Sequence, residues 1–218
     1  MNRTPRAVTL CEQPVTCKHV CMFTESEDEQ YRILNPFFLE GLQAGEEVLT
    51  IVDAPLRETH ARRMREGGVP VDASLASGQL RILASDDTYG RDGTFAAERM
   101  YALLEEVLSQ AGQGKWGRLR VTGDADWVLR TMQGGDELMA YEAKVNLLAP
   151  RHDCSLLCVY DINRCSGQVI ADALATHSHV ILGGRIHENP HYVEPLEFLT
   201  KVALRRSRSS PVKATPLT

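Results

Sequence analysis

Short apolar runs alternate along this chain with longer stretches of helical period. His19-Val-Cys-Met-Phe23 is apolar, and Glu25, Glu27, Asp28 and Glu29 follow it. That predicts a strand running into a loop or helix start, since acids in a first turn suit the helix dipole. Tyr31, Leu34, Phe38 and Leu42 recur on one helical face up to Gly45, with Asn35-Pro36 between them. The proline either kinks this helix or opens a second one with Asn35 as N-cap. Val48 to Val52 predicts a buried strand with Asp53 at its carboxyl end, and Leu56 to Glu66 a charged helix closed by Gly67-Gly68. Leu80 to Ala84 reads as the third strand, opening into the polar loop Ser85 to Gly90.

The clearest helix is Phe95 to Ala111, where Ala96, Met100, Leu103, Leu104, Val107, Leu108 and Ala111 make one apolar stripe. Leu119 to Thr122 is the fourth strand and leads to Asp124 and Trp127. A helix carried by Leu138, Tyr141, Val145 and Leu148 stops before Pro150, and the apolar run Cys154 to Tyr160 ends at Asp161. Val169 to Ala175 predicts a short helix. His179 to Leu182 predicts a sixth strand broken by Gly183-Gly184, and Pro195 to Leu204 a last helix. A continuous apolar strand such as Cys154 to Tyr160 belongs in a sheet covered on both faces. The expected fold is therefore α/β: three layers, with a mostly parallel sheet flanked by helices. Residues 1–18 read as a flexible lead-in, 19–204 as one folded domain, and 205–218, rich in Arg, Ser and Pro, as a disordered basic tail.

The 218 residues suffice for a buried core, and the net charge of -5 gives no general attraction to nucleic acid or anionic membrane. No apolar run reaches the ~20 residues of a membrane span, and no export signal follows Met1, so a cytoplasmic location is expected. The six cysteines are then expected to stay reduced.

Ligands of open parallel sheets bind beyond the carboxyl ends of the strands. Those ends carry Thr24 and Glu25, Asp53, Tyr89, Asp124 and Trp127, Tyr160 and Asp161, and Gly183 to Arg185. From these, Thr24, Asp53, Trp127, Tyr160 and Asp161, together with Cys158 within the run that ends at Tyr160, are candidate ligand-binding residues, with Trp127 and Tyr160 enclosing an apolar group and Asp161 orienting a polar end. Glu142 either supports this wall or is a helix-face charge. His177 precedes the sixth strand and is expected at the opposite edge. The loop Phe23 to Glu29 has no glycine, no lysine and four acids, so it lacks the means to cradle a triphosphate. Neither ATP hydrolysis nor a cofactor is expected. Cys17, His19 and Cys21 alternate, which on a strand would turn all three to one centre, but the spacing fits no standard zinc motif. No nucleophile elbow or Cys–His catalytic pattern is present in the sequence.

Several stretches resemble the MEDS family, a sensory domain of methanogen and methylotroph regulators and of the dichloromethane-dehalogenase repressor. They are His19 to Phe23, Pro36 to Asp53, Leu119 to Trp127, Tyr141 to Asn146, Cys158 to Asp161, Thr176 to Gly184 and Glu188 to Val193. Here Ser178 stands between His177 and His179 where the family commonly has proline. The resemblance implies a RecA- or KaiC-like core without a phosphate loop and a role in sensing small hydrocarbon derivatives. With residues 1–18 before the domain and a short tail after it, a standalone domain is expected that relays to a regulatory protein such as a kinase or transcription factor without direct nucleic-acid contact. An enzyme or metalloprotein using Asp124, Asp161, Cys158 or the Cys17, His19, Cys21 set is the alternative, carried by residue types alone.

Overall fold

All six strands expected from the apolar runs form, and they lie in one sheet. The computed structural model describes residues 6–88, 96–125, 128–129 and 135–209. Its strands are β1 (Val8–Leu10), β2 (Gln13–Val15), β3 (His19–Thr24), β4 (Glu47–Val52), β5 (Leu80–Ala84), β6 (Leu119–Asp124), β7 (Cys154–Asp161), β8 (His179–Leu182) and β9 (Arg185–Glu188). Its α-helices are α1 (Glu27–Gln43), α2 (Arg57–Glu66), α3 (Val71–Ser77), α4 (Ser85–Thr88), α5 (Ala97–Gln113), α6 (Asp136–Leu148), α7 (Gly167–Thr176) and α8 (Pro195–Ser209). The main sheet has seven strands in the order β5-β4-β6-β7-β3-β8-β9, parallel except for the β8–β9 pair.

The two-residue period of the strands divides the core into two layers. Cys21, Phe23, Leu49, Ile51, Leu119, Val121, Leu156 and Tyr160 face one side, under α5, α6, α7 and α8. Val20, Met22, Val48, Val52, Leu157 and Val159 face the other, under α1, α2 and α3. This second face also holds charge. Arg120 is among the largest fully buried side chains; it bonds Glu46 at 2.5 Å, Glu40 at 2.7 Å and the Phe37 carbonyl at 2.9 Å. The arginine passes under Gly41, where a Cβ would meet Arg120 Cδ at 2.6 Å. No helix among the described residues is long and apolar enough to cross a membrane.

Two details differ from the sequence reading. The lead-in is not flexible throughout: β1 and β2 form an antiparallel hairpin whose Val8, Leu10 and Val15 are buried against the second layer. The tail is ordered to Ser209 as the end of α8, where Arg205 pairs with Asp136 at 2.5 Å and Asp172 at 2.7 Å, and Arg206 with Glu137 at 2.6 Å. The break expected at Gly183-Gly184 falls there, after Leu182, and the sheet continues beyond it. Both residues have positive φ, 54° and 71°, and turn the chain into β9. Of the two alternatives at Pro36, the chain stays in one helix rather than opening a second, and Asn35 donates to the Arg63 carbonyl at 3.3 Å rather than capping.

Candidate functional site

The connection from β3 to α1 is short. Strand β3 ends at Thr24, Ser26 caps the helix, and Ser26 Oγ accepts from Glu29 N–H at 3.3 Å. Glu29 reaches back and accepts from Glu25 N–H at 2.9 Å. Two backbone donors at this helix start, those of Glu25 and Glu29, therefore meet side chains of this chain, among three acids in the first turn.

Beneath α6, on the first face of the sheet, four polar side chains meet. His19 opens β3, Cys158 lies mid-way along β7, Glu142 projects from α6, and His177 caps the end of α7. Their ligating atoms all lie within 4.8 Å of one another. His19 Nε2 is 3.1 Å from Glu142 Oε2, 3.3 Å from Cys158 Sγ and 3.1 Å from His177 Nε2. Cys158 Sγ is 3.4 Å and His177 Nε2 3.6 Å from the same Glu142 oxygen, while Tyr160 donates its hydroxyl to Glu142 Oε1 at 3.2 Å. The parity of the strands puts these groups together: His19 shares a face with Cys21 and Phe23, and Cys158 shares one with Leu156 and Tyr160. Burial, together with the neighbouring Glu142 charge, pushes the Cys158 thiol and the Tyr160 phenol well up. Burial pushes the His177 imidazole down to about 3.

Three of the four, His19, Glu142 and Cys158, border a cavity of about 70 Å³ between β4, β6 and β7 below and α5 and α6 above. Leu49, Ile51, Met100, Leu104, Val107, Val121, Leu138 and Val145 make its apolar walls; His19, Glu142 and Cys158 supply polar atoms, as does Asp124 at the end of β6. Cys158 is the partly accessible member of the quartet, and the other three are buried.

The structure gathers some of the sequence candidates and disperses others. Glu142, Cys158 and Tyr160 come together. Thr24 is buried at the end of β3, in register with Asp161, and its carbonyl accepts from Ile162 N–H. Asp161 accepts from Asn163 N–H at 2.9 Å and pairs with Arg164 at 3.3 Å, closing the turn after β7. Asp53 starts the 3-10 turn Ala54–Leu56. Trp127 and Tyr89 lie outside the described residues. The alternating Cys17, His19, Cys21 set does not converge. Cys17 precedes β3 and its Sγ lies 3.2 Å from the His19 carbonyl and 3.4 Å from Ser178 Oγ, away from the quartet. Cys21 is one turn of the pleat further along the core face. His177 sits just before β8, at the amino edge of the sheet, and joins the quartet because the amino ends of β3 and β8 are neighbours. Its signal in the sequence was the histidine pair around Ser178; His179 instead contacts Ser178 Oγ at 3.1 Å.

The chain matches the family model described as MEDS, the MEthanogen/methylotroph, DcmR Sensory domain, over residues 18–178. The transcriptional repressor DcmR of Methylorubrum extorquens is 27% identical to it over 160 residues, 73% of this chain and 57% of the repressor. The chain thus spans less than two thirds of that relative's length. Among solved structures, the flagellar accessory protein FlaH from Methanocaldococcus jannaschii matches with a TM-score of 0.50 and 11% identity, over 77% of this chain and 73% of FlaH. At that identity the likeness shows the fold alone, which is RecA-like.

Proposed function

We propose, from the premise that this chain belongs to the MEDS family of sensory domains, that it senses a small, largely apolar molecule in the cavity under α5 and α6. The family and the likeness to a transcriptional repressor support a sensory and regulatory role. The observation that carries the finer reading is the cavity itself: a mostly apolar lining joined by the polar atoms of His19, Glu142, Cys158 and Asp124. Such a pocket favours a ligand of a few heavy atoms with one polar or polarisable end, as a short hydrocarbon derivative has. Binding would be read by a regulatory protein partner through α5 and α6, the helices that close the cavity. The capped, acidic start of α1 argues against a nucleotide as the signal.

Ligand-observed NMR with a panel of halogenated methanes, short alkanols and short thiols tests this. The expected result is saturable binding of at least one panel member by the folded protein, lost in Leu104→Trp, where the indole fills the cavity. Binding that persists unchanged in a folded Leu104→Trp protein, or a panel that fails altogether, overturns the reading.

A further inference from the structure

The protons of the quartet can be assigned from its surroundings. The Ala173 carbonyl only accepts, so His177 donates its Nδ1–H to it at 2.8 Å and keeps a lone pair on Nε2. Asn146 donates its amide N–H groups to the carbonyls of Thr176 at 2.6 Å and Glu142 at 3.3 Å. That turns Asn146 Oδ1 toward His19 Nδ1, which donates to it at 3.0 Å, so His19 Nε2 also keeps its lone pair. The two lone pairs face each other across 3.1 Å. A Glu142 oxygen faces the same point, and Cys158, which donates its thiol proton to that oxygen at 3.4 Å, adds its sulfur once that proton is lost. Converging acceptors in a buried place call for a cation among them.

The spacing agrees. In a tetrahedral centre with bonds of about 2.0–2.3 Å, ligand atoms sit roughly 3.3–3.7 Å apart. Five of the six separations within the quartet are 3.1, 3.3, 3.1, 3.4 and 3.6 Å, and the sixth, Cys158 to His177, is no more than 4.8 Å. We propose that His19, Glu142, Cys158 and His177 hold one divalent transition-metal ion of the zinc class. Two imidazoles, a thiolate and a carboxylate suit zinc in geometry and softness. The charges also balance, since a dication with one thiolate and one carboxylate leaves a neutral centre in a buried site. On binding, the Cys158 S–H bond breaks, the sulfur electron pair goes to the metal and the proton leaves to solvent. Ala173 and Asn146 form the outer layer that fixes both imidazoles, as outer partners of metal-binding histidines do. The ion would border the cavity through His19, Glu142 and Cys158. Its position there rests on the sensing reading, and its existence does not.

The test uses the full chain and the metals alone. The protein is dialysed against a weak chelator and assayed for zinc, then the metal-free protein is titrated with Co²⁺ and followed by absorbance. The expected results are about one equivalent of zinc, intense visible bands of tetrahedral Co²⁺ and a near-ultraviolet thiolate-to-cobalt band. Cys158→Ser should remove the thiolate band, while Cys17→Ser and Cys21→Ser keep it. Asn146→Ala should weaken metal affinity by about 10–100-fold with unchanged far-ultraviolet circular dichroism. Absence of both zinc and tetrahedral cobalt bands overturns the proposal, as does a thiolate band that survives Cys158→Ser. If that variant does not fold, His177→Gln replaces it, and the wild-type thiolate band still decides whether a cysteine is a ligand. Metal binding with a failed small-molecule panel would defeat the sensing reading and leave the ion standing; the reverse pattern would defeat only the ion.

Discussion

His60 is buried between α1 and β4, with the Tyr31 hydroxyl 2.7 Å from its Nδ1 and the Thr50 hydroxyl 3.0 Å from its Nε2. Both ring nitrogens are satisfied while the ring is neutral, and burial pushes its pKa from 6.5 down to about 4. Above pH 6.5 neither the folded nor the unfolded chain binds a proton there, and this contribution to stability is complete. As the pH falls from 6.5 to 4 the unfolded chain gains a proton that the folded chain does not, so stability is lost across that window, by about 3 kcal/mol in full. In urea unfolding at pH 7, 5.5 and 4.5, His60→Gln should be the less stable protein at pH 7 and should show the shallower decline. An equal slope in both proteins would place the acid sensitivity elsewhere. None of this was legible in the sequence, where Leu56 to Glu66 is a charged helix and His60 one polar residue within it. Its burial comes from the fold, which lays α2 over β4. The same holds for Arg120, which the strand pattern places on a sheet face but which only α1 and Glu46 cover. At this site Glu142, Cys158 and Tyr160 were legible as ligand candidates and His19 as a metal candidate. Their meeting with His19 and His177 was not, because it depends on β3 lying between β7 and β8.

At the scale of elements, what could be read depended on whether local pattern or tertiary contact fixes the element. Strands β3 to β8 carry apolar runs long enough to be seen, and α5 carries a full stripe. The hairpin of β1 and β2 has three-residue strands and turns through Cys11 and Glu12, at φ 50° and 65°, without the Asn-Gly or Gly-Gly that marks such turns. Side chains at positive φ cost energy that glycine avoids. Glu12→Gly should therefore raise stability by about 1 kcal/mol, provided the relief exceeds the entropy that glycine adds to the unfolded chain. Chemical denaturation of the full chain measures this, and a loss of 1 kcal/mol or more would show that the turn is held by contacts of the Glu12 side chain. The end of α8 makes the same point from composition: Arg205 and Arg206 look like part of a solvated tail, yet they pair with Asp136, Asp172 and Glu137 on α6 and α7. Those pairs are visible only once three helices share one face of the sheet.

Over the whole molecule, the two faces of the sheet are built for different ends. The face under α1 and α2 is closed by apolar packing and by the buried Arg118, Arg120 and Glu46 network, with Arg118 3.3 Å and Arg120 2.5 Å from Glu46. The face under α5 and α6 keeps a cavity next to its four polar side chains. A core selected only for stability would fill that space, since interiors pack densely and voids weaken them. Val121, on β6 at the floor of the cavity, offers a direct test because Val121→Ile adds one methylene and keeps the β-branched shape a strand favours. If the cavity is open in solution, the added group gains contacts, and stability should rise by about 0.5–1 kcal/mol. The same substitution should weaken uptake of whichever member of the small-molecule panel binds, the exchange of stability against function expected where a site needs space. If the helices instead close onto the sheet in solution, the methylene would overpack the core and destabilise by about 1–3 kcal/mol. Thermal and urea unfolding of the two proteins, alongside the NMR panel, decide between a standing cavity and a collapsed one.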